Sequence, residues 1–470
     1  MNNIIKKIEQ DDVLSKITPY LKEVDSYLVG GYLRDLFLGK QSLDRDIVLV
    51  CENIEAFTQK IAREINATFI ALDKEWGIYR LVLEDKINYI DFARAIESNI
   101  EKDIFRRDIT INAIAYNLNT RELYDPTNGV IDLQNKTLRA ISEQNIIDDP
   151  LRLLRVFRFQ SVLNFQIEKE TYSFIKKHAN LLQQPAKERV NVELMKLFDG
   201  YNTAKTLLDM DNCGILELIF PFVKEFKKIP KNTHHHLDLF HHLVETVNQI
   251  EIIFSTLPSQ AQAVLSVNPY GTVKKLAYLK LAGFIHDIGK PQTWAIDEET
   301  GRHRFIMHDA IGAEIAPQYL KTLKFSKKQI SYIKDLIRHH IYPSNVNMNN
   351  EKSVMKFLRK LEENTVDVIL LAMADRYSAR GEDITDEIIE QNISQLNELM
   401  NRYFLKLEEL KPLPKLIDGN EIMNLLNIKP SPILGKIIAQ IKQEQEDGNI
   451  TTHEEAVELA QTIYKNLIEG

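Results

Sequence analysis

Short apolar segments with β-branched and aromatic residues fill the first third of the chain, and longer helical patterns fill the remainder. Strands are predicted at YLVG, DIVLV, ATFIAL, YRLVLE, INYIDFA and AIAYNL, all within residues 27–118. After about Ser142 strand signals nearly vanish, and apolar residues recur with the period of an α-helix. The pattern predicts an α+β fold, with a small mixed-sheet head followed by an all-helical body.

The length of 470 residues exceeds what one hydrophobic core supports, so two to four domains are expected. Residues 344–352 are polar and predict a loop, and the prolines and glycine of residues 411–420 predict a linker. We therefore expect a mixed-sheet head over 1–140, a helical neck over 141–230, a helical domain over 231–400 and a helical tail over 401–470.

Composition and charge restrict the classes of protein further. The net charge of −8 means that a nucleic-acid partner has to bind local basic patches. Two cysteines exclude a disulfide framework and a cysteine-rich zinc site, and they fit a reducing cytoplasm. No apolar run has the length of a membrane span, and the first residues lack a signal peptide's apolar stretch. We expect a cytoplasmic protein without a membrane partner.

The stretch YLVGGYLRDLFLG predicts a strand, a tight turn and a helix. Gly30 and Gly31 let the backbone approach an anion closely, and the free N–H groups at a helix N-terminus suit phosphate. Arg34 on the first helical turn adds a charged hydrogen-bond donor. The stretch predicts a phosphate cradle, although the spacing is not that of a P-loop.

Paired carboxylates follow this cradle. Asp44 and Asp46 lie at positions i and i+2 of a predicted strand, so their side chains share one face. Such carboxylates suit Mg²⁺, and two metals can activate a hydroxyl and steady a leaving pyrophosphate. Together with the cradle they predict nucleotidyl transfer. Asp91, in YIDF, is a candidate third carboxylate, with a turn cap as the alternative interpretation.

Two arginine-rich segments come next. FRRDITINAIAYNL, residues 105–118, predicts a helical stretch that opens at Arg106 and carries Asn112, with triphosphate or sugar contacts favoured over a surface ion pair. In DDPLRLLRVFRF, residues 148–159, two aspartates and a proline predict a helix start. Asp149 and Arg152 lie three residues apart and share a face, although a solvated basic face is the alternative for a lone helix.

Five ordered motifs, GGYLRD, LDRDIV, RRDITINA, DDPLRLLRVFRF and ERVNVELMKL, resemble the class II tRNA nucleotidyltransferases, which build the 3′-terminal CCA of tRNA, and their relatives the bacterial poly(A) polymerases. The resemblance implies that Asp44 and Asp46 hold Mg²⁺. It implies nucleotide contacts from Gly30, Gly31, Arg34, Asp35, Arg107, Asp108, Asn112, Asp149, Arg152, Arg155 and Arg158. One departure is Asp148, which stands where the family usually has glutamate.

In this family Asp149 and Arg152 would read the incoming base. Cytosine and adenine both offer an amino donor beside ring acceptors, so Asp149 can accept a hydrogen bond while Arg152 donates one. Uracil and guanine present a carbonyl to the carboxylate instead, and each good polar pair discriminates by about 1–3 kcal/mol. A protein template thus explains selection of C and A.

The middle of the chain carries histidines beside aspartates. A neighbouring His-Asp pair in an apolar helix is costly unless it binds something, and imidazole with carboxylate suits a transition metal. The series resembles the HD domain, a metal-dependent phosphohydrolase fold. The resemblance implies a metal site at His242, His286, Asp287, His308, His340 and Asp375. Hydrolysis and a structural or vestigial metal site both stay open.

The expected reaction is transfer from CTP, and also from ATP in a full CCA-adding enzyme, to the 3′ end of tRNA, with the tail resembling the module that grips the tRNA elbow. Poly(A) synthesis and an HD phosphohydrolase that acts on nucleotides, with the head as a sensor, are the alternatives. Between Asp91 and Arg106 the chain is short, whereas full CCA-adding relatives carry a longer flexible loop there. This shortness favours CC addition, with a separate A-adding enzyme in the same cell.

Overall fold

The computed structural model describes residues 2–233, 235–271, 273–407 and 415–469. The chain forms two compact units, Met1–Pro221 and Phe222–Gly470. The division into head, neck, third domain and tail stays a prediction. Among the described residues, no helix combines the length and the apolar character that crossing a membrane requires.

The first unit is built on a seven-stranded mixed sheet of order β3-β4-β5-β2-β1-β6-β7. Its strands are β1 (Asp25–Val29), β2 (Asp44–Val50), β3 (Thr68–Asp73), β4 (Ile78–Val82), β5 (Tyr89–Arg94), β6 (Ala115–Asn117) and β7 (Leu123–Tyr124). The β2–β5 pair is parallel and the other pairs are antiparallel. The α+β fold class and the six predicted strands are confirmed. A small parallel pair, β8 (Thr137–Leu138) with β9 (Gln166–Ile167), was not predicted.

Helices form most of the rest of the unit. They are α1 (Asn2–Glu9), α2 (Asp12–Ile17), α3 (Gly31–Phe37), α4 (Ile54–Glu64), α5 (Ile100–Phe105), α6 (Gly129–Gln134), α7 (Glu143–Asp148), α8 (Leu151–Leu163), α9 (Lys169–His178), α10 (Lys187–Phe198), α11 (Thr203–Asn212) and α12 (Ile215–Ile219). The apolar line of α8 is buried, with Leu154 and Phe157 fully inaccessible, so its arginines are left on the other side.

The second unit is mainly helical. Its helices are α13 (Val223–Phe226), α14 (Leu239–Thr256), α15 (Ser259–Ser266), α16 (Lys275–Ile285), α17 (Lys290–Thr293), α18 (His308–Thr322), α19 (Lys327–His339), α20 (Glu351–Leu361), α21 (Thr365–Ser378), α22 (Asp386–Leu405), α23 (Gly419–Leu426), α24 (Pro432–Glu446) and α25 (His453–Glu469). Helices α23 to α25 bury a small core of their own around Ile437 and Ala460. The predicted loop at 344–352 is confirmed up to the start of α20, and residues 411–414 of the predicted linker lie outside the described residues.

Two details of the prediction are wrong. The helical stretch from Arg106 to Asn112 does not form, because the Asp108 carboxylate accepts hydrogen bonds from the Ile109 amide at 2.9 Å and the Asn112 side chain at 3.1 Å. These bonds favour a turn over a helix, and only Thr110–Asn112 form a 3₁₀ turn. The body is also not purely helical, since β10 (Trp294–Ile296) and β11 (His303–Phe305) form a hairpin.

Candidate active site and metal centre

An open cavity of about 820 Å³ in the first unit gathers most of the residues predicted to bind nucleotide. The predicted residues in its lining are Gly30, Gly31, Arg34, Asp44, Asp46, Arg107, Asp108, Asn112, Asp149, Arg152, Arg155 and Arg158. Asp35 is not in the lining, and its carboxylate accepts a hydrogen bond from Nε of Arg34 at 2.9 Å. Asp35 therefore orients Arg34 from behind the cavity.

Three carboxylates lie close together beside this cavity, and two of them, Asp44 and Asp46, line it. In the sheet register Asp46 of β2 stands opposite Asp91 of β5, and single oxygens of Asp44, Asp46 and Asp91 all lie within 4.8 Å of one another. Burial, together with the neighbouring negative charge of Asp44, raises the pKa of Asp46 to about 7. A bound cation relieves this repulsion, and an all-oxygen donor set fits a hard ion such as Mg²⁺.

Asp91 is held by an arginine that the sequence analysis did not identify. Arg80 donates from Nε and Nη2 to its two oxygens, each at 2.7 Å. The Arg80 guanidinium also lies 4.0 Å from the ring centroid of Tyr89, whose hydroxyl donates to Asp44 at 3.3 Å. Because Arg80 already neutralises Asp91, the carboxylates of Asp44 and Asp46 are the more available metal ligands.

The turn before α3 has the geometry of the predicted cradle. Gly30 has φ +74° and ψ −135°, a conformation that residues with a Cβ rarely adopt. A Cβ there would lie 3.3 Å from Nη1 of Arg107 and 3.5 Å from a carboxylate oxygen of Asp46. Nη1 of Arg34 donates to the Asn112 side chain at 2.8 Å, which fixes its position at the cavity wall. Because Gly30 has no Cβ, the Arg107 guanidinium and the Asp46 carboxylate can both approach this turn closely.

The two residues predicted to read the base have other partners. Asp149 accepts from Nη2 of Arg189 at 3.1 and 3.3 Å, and Arg152 donates to the carbonyls of Asn145 at 3.1 Å and Arg107 at 3.4 Å. The Arg152 amide donates to the Asp149 carbonyl at 2.9 Å, but within the described residues no hydrogen bond joins their two side chains. Arg189 lies in the motif ERVNVELMKL, but it faces Asp149 across forty residues of sequence, and no local spacing reveals this pair.

The remaining arginines of α8 are paired with buried carboxylates. Arg155 donates to Asp108 at 2.6 and 2.9 Å, and Nε of Arg158 lies 3.2 Å from Glu193. Burial acts to raise the pKa of Asp108, but the Arg155 charge and the hydrogen bonds outweigh it and lower that pKa to about 2. Burial lowers the pKa of Arg158 to about 10, so it stays protonated at neutral pH. Phe159, with the Arg158 guanidinium 4.0 Å from its ring centroid, completes this wall.

In the second unit the structure brings all six predicted metal ligands together. Nε2 of His242 lies 3.1 Å from Asp375 and 3.6 Å from Oδ2 of Asp287, and Nε2 of His286 lies 3.3 Å from the same Oδ2. The other oxygen of Asp287 lies 3.2 Å from Nε2 of His308 and 3.8 Å from Nε2 of His340. Asp287 is therefore shared between two groups of ligands.

The tautomers of three of these histidines are set by main-chain carbonyls. Nδ1 of His286, His308 and His340 each faces a carbonyl oxygen, at 2.9, 2.7 and 2.7 Å. When Nδ1 carries the proton, the lone pair of Nε2 is free to coordinate a metal ion. Nε2 of His286 and both oxygens of Asp287 are buried and make no hydrogen bond of good geometry, although Oδ2 of Asp287 forms an ion pair with Nζ of Lys290. Buried polar groups without good hydrogen bonds are costly unless a cation binds them, so the donor set fits a transition metal.

Two further residues contact this centre and were missed by the sequence analysis. Nζ of Lys290 lies 2.5 Å from Oδ2 of Asp287, and the His235 ring centroid lies 4.5 Å from that of His242. Burial and the nearby Lys290 charge lower the pKa of His235 to about 2, so it is neutral. Lys290 follows the HD pair in HDIGK, a spacing that could have drawn attention to it.

Comparisons with known proteins agree with this geometry. Family models match at 26–139 (poly A polymerase head domain), 164–227 (probable RNA and SrmB-binding site of polymerase A) and 239–380 (HD domain). The A-adding tRNA nucleotidyltransferase of Deinococcus radiodurans is 32% identical over 91% of this chain and 93% of its own length. The CC-adding enzyme of Thermus thermophilus is 28% identical, with 93% of each chain covered.

Among solved structures, the Thermotoga maritima CCA-adding enzyme complexed with tRNA matches with a TM-score of 0.58, 23% identity and 98% of each chain covered. At that identity the likeness shows the fold. The 32% identity to the Deinococcus radiodurans enzyme, with more than nine-tenths of both chains covered, shows the family as well. As the five motifs predicted, the chain belongs to the tRNA nucleotidyltransferase family, and it carries an HD domain.

Proposed function

We propose that this chain adds C residues from CTP to the 3′ end of tRNA, with the base chosen by protein side chains. The carboxylates of Asp44 and Asp46 at the edge of an arginine-lined cavity carry this proposal. Two Mg²⁺ ions bound there would activate the RNA hydroxyl and stabilise the leaving pyrophosphate. In this step the hydroxyl loses its proton to solvent and its oxygen bonds to the α-phosphorus of CTP, while the bond from that phosphorus to pyrophosphate breaks and pyrophosphate leaves. Arg34 and Arg107, which line the same cavity, would bind the triphosphate.

Base selection is proposed to rest on Asp149 and Arg152. A carboxylate has about four acceptor positions, so Asp149 can keep Arg189 and still accept a hydrogen bond from the amino group of cytosine. Arg152 can exchange a backbone carbonyl for the ring acceptors of the base. Arg189 thereby fixes the carboxylate that reads the amino group.

Asp149→Ala is expected to weaken discrimination against UTP about tenfold or more, because about 1–3 kcal/mol of base discrimination is lost. The affinity for tRNA should change much less. A competition assay with all four nucleotides measures misincorporation, and Glu143→Ala at the start of α7 is a control outside the cavity. Unchanged misincorporation in the Asp149 variant would show that the template assignment is wrong.

The product is proposed to be CC. The segment that replaces the family's flexible loop is short and folded, with a 3₁₀ turn at Ile96–Ser98 followed directly by α5. Buried Asp103 of α5 accepts from Arg106 at 2.6 Å and Arg107 at 3.0 Å, which ties this segment to the cavity wall. Little chain is left to shift the template from cytosine to the larger adenine. A-addition is the second candidate, supported by the 32% identity to an A-adding relative.

Product length on a tRNA that lacks CCA tests this proposal directly. With CTP and ATP together, we expect two C residues to be added rapidly and A to be added slowly or not at all. Sequencing gels of the 3′ end read the product, and the same tRNA already ending in CC is the matched control substrate. Efficient completion of CCA would refute CC specificity, and addition of A only to the CC-ending substrate would establish the second candidate.

We also propose that the HD domain binds divalent transition metal and hydrolyses phosphate esters. The buried Nε2 of His286 and oxygens of Asp287, which make no hydrogen bond of good geometry, support this second function. A bound metal would supply a nucleophilic hydroxide at neutral pH. Lys290, which is buried beside Asp287, adds a positive charge that suits a phosphate. The tail segment, residues 416–460, is proposed to bind the tRNA elbow.

A further inference from the structure

A second open cavity, of about 630 Å³, lies on the sheet of the first unit beside the cavity that holds Asp44 and Asp46. We call it the side cavity, defined by Trp76, Arg94, Arg106, Glu52 and Glu75. Arg106 lines both cavities. Ala93, which also lines the side cavity, lies two residues beyond Asp91 on β5, so both residues face the same side of the sheet. The side cavity therefore continues the face that carries the carboxylates.

Trp76 is the most prominent side chain of this cavity. It lies in the turn between β3 and β4, and it is 60% exposed. Its amide donates to Asp73 at 3.0 Å, which fixes the backbone while the indole stays accessible. Gly77, with φ +65°, follows it, and a Cβ at that position would lie 3.3 Å from Cβ of Arg94. The turn thus presents a flat aromatic face next to Arg94, an arrangement on which nucleic-acid bases stack.

The charged groups of the side cavity are mixed. Arg106 is paired with Asp103 at 2.6 Å. Among the described residues, no ion pair holds Arg94, Glu52 or Glu75. An arginine without a carboxylate partner suits a phosphate, and carboxylates accept hydrogen bonds from ribose hydroxyl or base amino groups. Such a set suits one or two nucleotides, since a longer RNA segment would require a basic groove.

We propose that the side cavity binds the 3′-terminal nucleotide of the acceptor RNA, with its base stacked on Trp76 and its phosphate at Arg94. The volume lies within the range of about 300–1,000 Å³ that is usual for small-ligand sites. Incoming CTP occupies the neighbouring arginine-lined cavity, so the two substrates approach the carboxylates from different sides. This inference rests on the proposed nucleotidyl transfer, and the experiments below separate the two.

Fluorescence can detect this contact, because Trp76 and Trp294 are the two tryptophans of the chain. In the Trp294→Phe protein, the emission comes from Trp76 alone. A tRNA minihelix ending in C should quench this emission with saturation, whereas CTP alone should not. A minihelix with an abasic terminal nucleotide is the matched ligand and should lose most of the quenching. Equal quenching by both RNAs, or quenching by neither, would overturn the stacking assignment.

Kinetics provide the second test. Trp76→Ala should raise KM for the minihelix about tenfold and leave KM for CTP at saturating RNA unchanged. Trp76→Phe should restore most of the affinity, and Arg94→Ala should also raise KM for RNA. Arg63→Ala, on the exposed side of α4, is the control.

Unchanged KM for RNA in an active enzyme would overturn the subsite and leave the transferase proposal intact. A wild-type protein that binds RNA at Trp76 but adds no nucleotide would overturn the transferase proposal instead. Emission that changes with protein concentration alone, together with dimers in sedimentation, would assign the surface to a second copy of the chain.

Discussion

Asp46→Ala is expected to abolish nucleotide addition, with a loss of about 10³-fold or more in kcat. Asp46 is the more buried of the two β2 carboxylates that we propose as metal ligands, and it lies 3.5 Å from the ideal Cβ position of Gly30. Its loss would remove a metal ligand and several kcal/mol of transition-state stabilisation, and each 1.4 kcal/mol is a factor of about ten in rate. Single-turnover incorporation of labelled CMP into tRNA lacking CCA measures the loss.

The folding of this variant should not suffer. The pKa of Asp46 is raised to about 7 from its ordinary value, so the folded chain binds this proton more tightly than the unfolded chain does. Without metal, ionising Asp46 as the pH rises towards 7 therefore costs stability. The alanine variant should melt at the same temperature as the wild type or higher, and it should still bind tRNA. Glu64→Ala on the exposed side of α4 is the control, and near-normal turnover of Asp46→Ala would refute the metal-ligand role.

The parts of this site that the sequence could predict are those in which function and local structure share one motif. The turn at Gly30, the i and i+2 spacing of Asp44 and Asp46, and the strand that follows are all set within about twenty residues. The alternation of β2 buries Ile47 and Leu49, and the same alternation places both aspartates on the opposite face. In such a motif the alternation along the strand determines which side chains are buried in the core and which carboxylates face the site.

The parts that the sequence could not predict depend on pairing between distant segments. Arg80 reaches Asp91 because β4 and β5 pair in a register that places the two residues opposite each other. Arg189 reaches Asp149 because α10 packs against α8. The hairpin of β10 and β11 was missed because the residues of β10 are exposed and lack the half-buried alternation of a typical strand. In each case tertiary contacts, which no single window of sequence contains, decide the outcome.

The helix predicted at Arg106 failed for a local reason that could have been anticipated. Asp108 and Asn112 are side chains that compete with the main chain for hydrogen bonds, and here Asp108 bonds the next amide. Arg155 then pairs with the same carboxylate and holds it in place. The result brings Arg107 and Asn112 to the wall of the cavity without a regular helix. The residues that the resemblance implied as nucleotide contacts therefore line the cavity from a turn and not from the predicted helix.

Asp287→Ala is expected to eliminate bound transition metal and phosphohydrolysis while leaving CTP addition intact. Asp287 is shared by both groups of ligands, so its removal affects His242 and His286 on one side and His308 and His340 on the other. Elemental analysis measures the metal, and release of p-nitrophenol from bis(p-nitrophenyl) phosphate in Ni²⁺, Co²⁺ or Mn²⁺ measures hydrolysis. Asp335→Ala, on α19 and outside the ligand set, is the matched control.

A second variant guards against misfolding, since removal of Asp287 leaves the buried Lys290 without its carboxylate. Asp287→Asn keeps the shape of the side chain and an amide oxygen that can accept a hydrogen bond from Lys290, so it should fold like the wild type. Because it lacks the negative charge, it should still lose metal and hydrolysis. Retained CTP addition in both variants would show that the metal centre in the second unit does not serve the transferase. If the wild-type protein holds no metal and hydrolyses no substrate, the result would show that this domain has a structural role only. Hydrolysis that survives in a metal-bound Asp287→Ala protein would move the chemistry to other ligands, because this carboxylate is the one that both groups share.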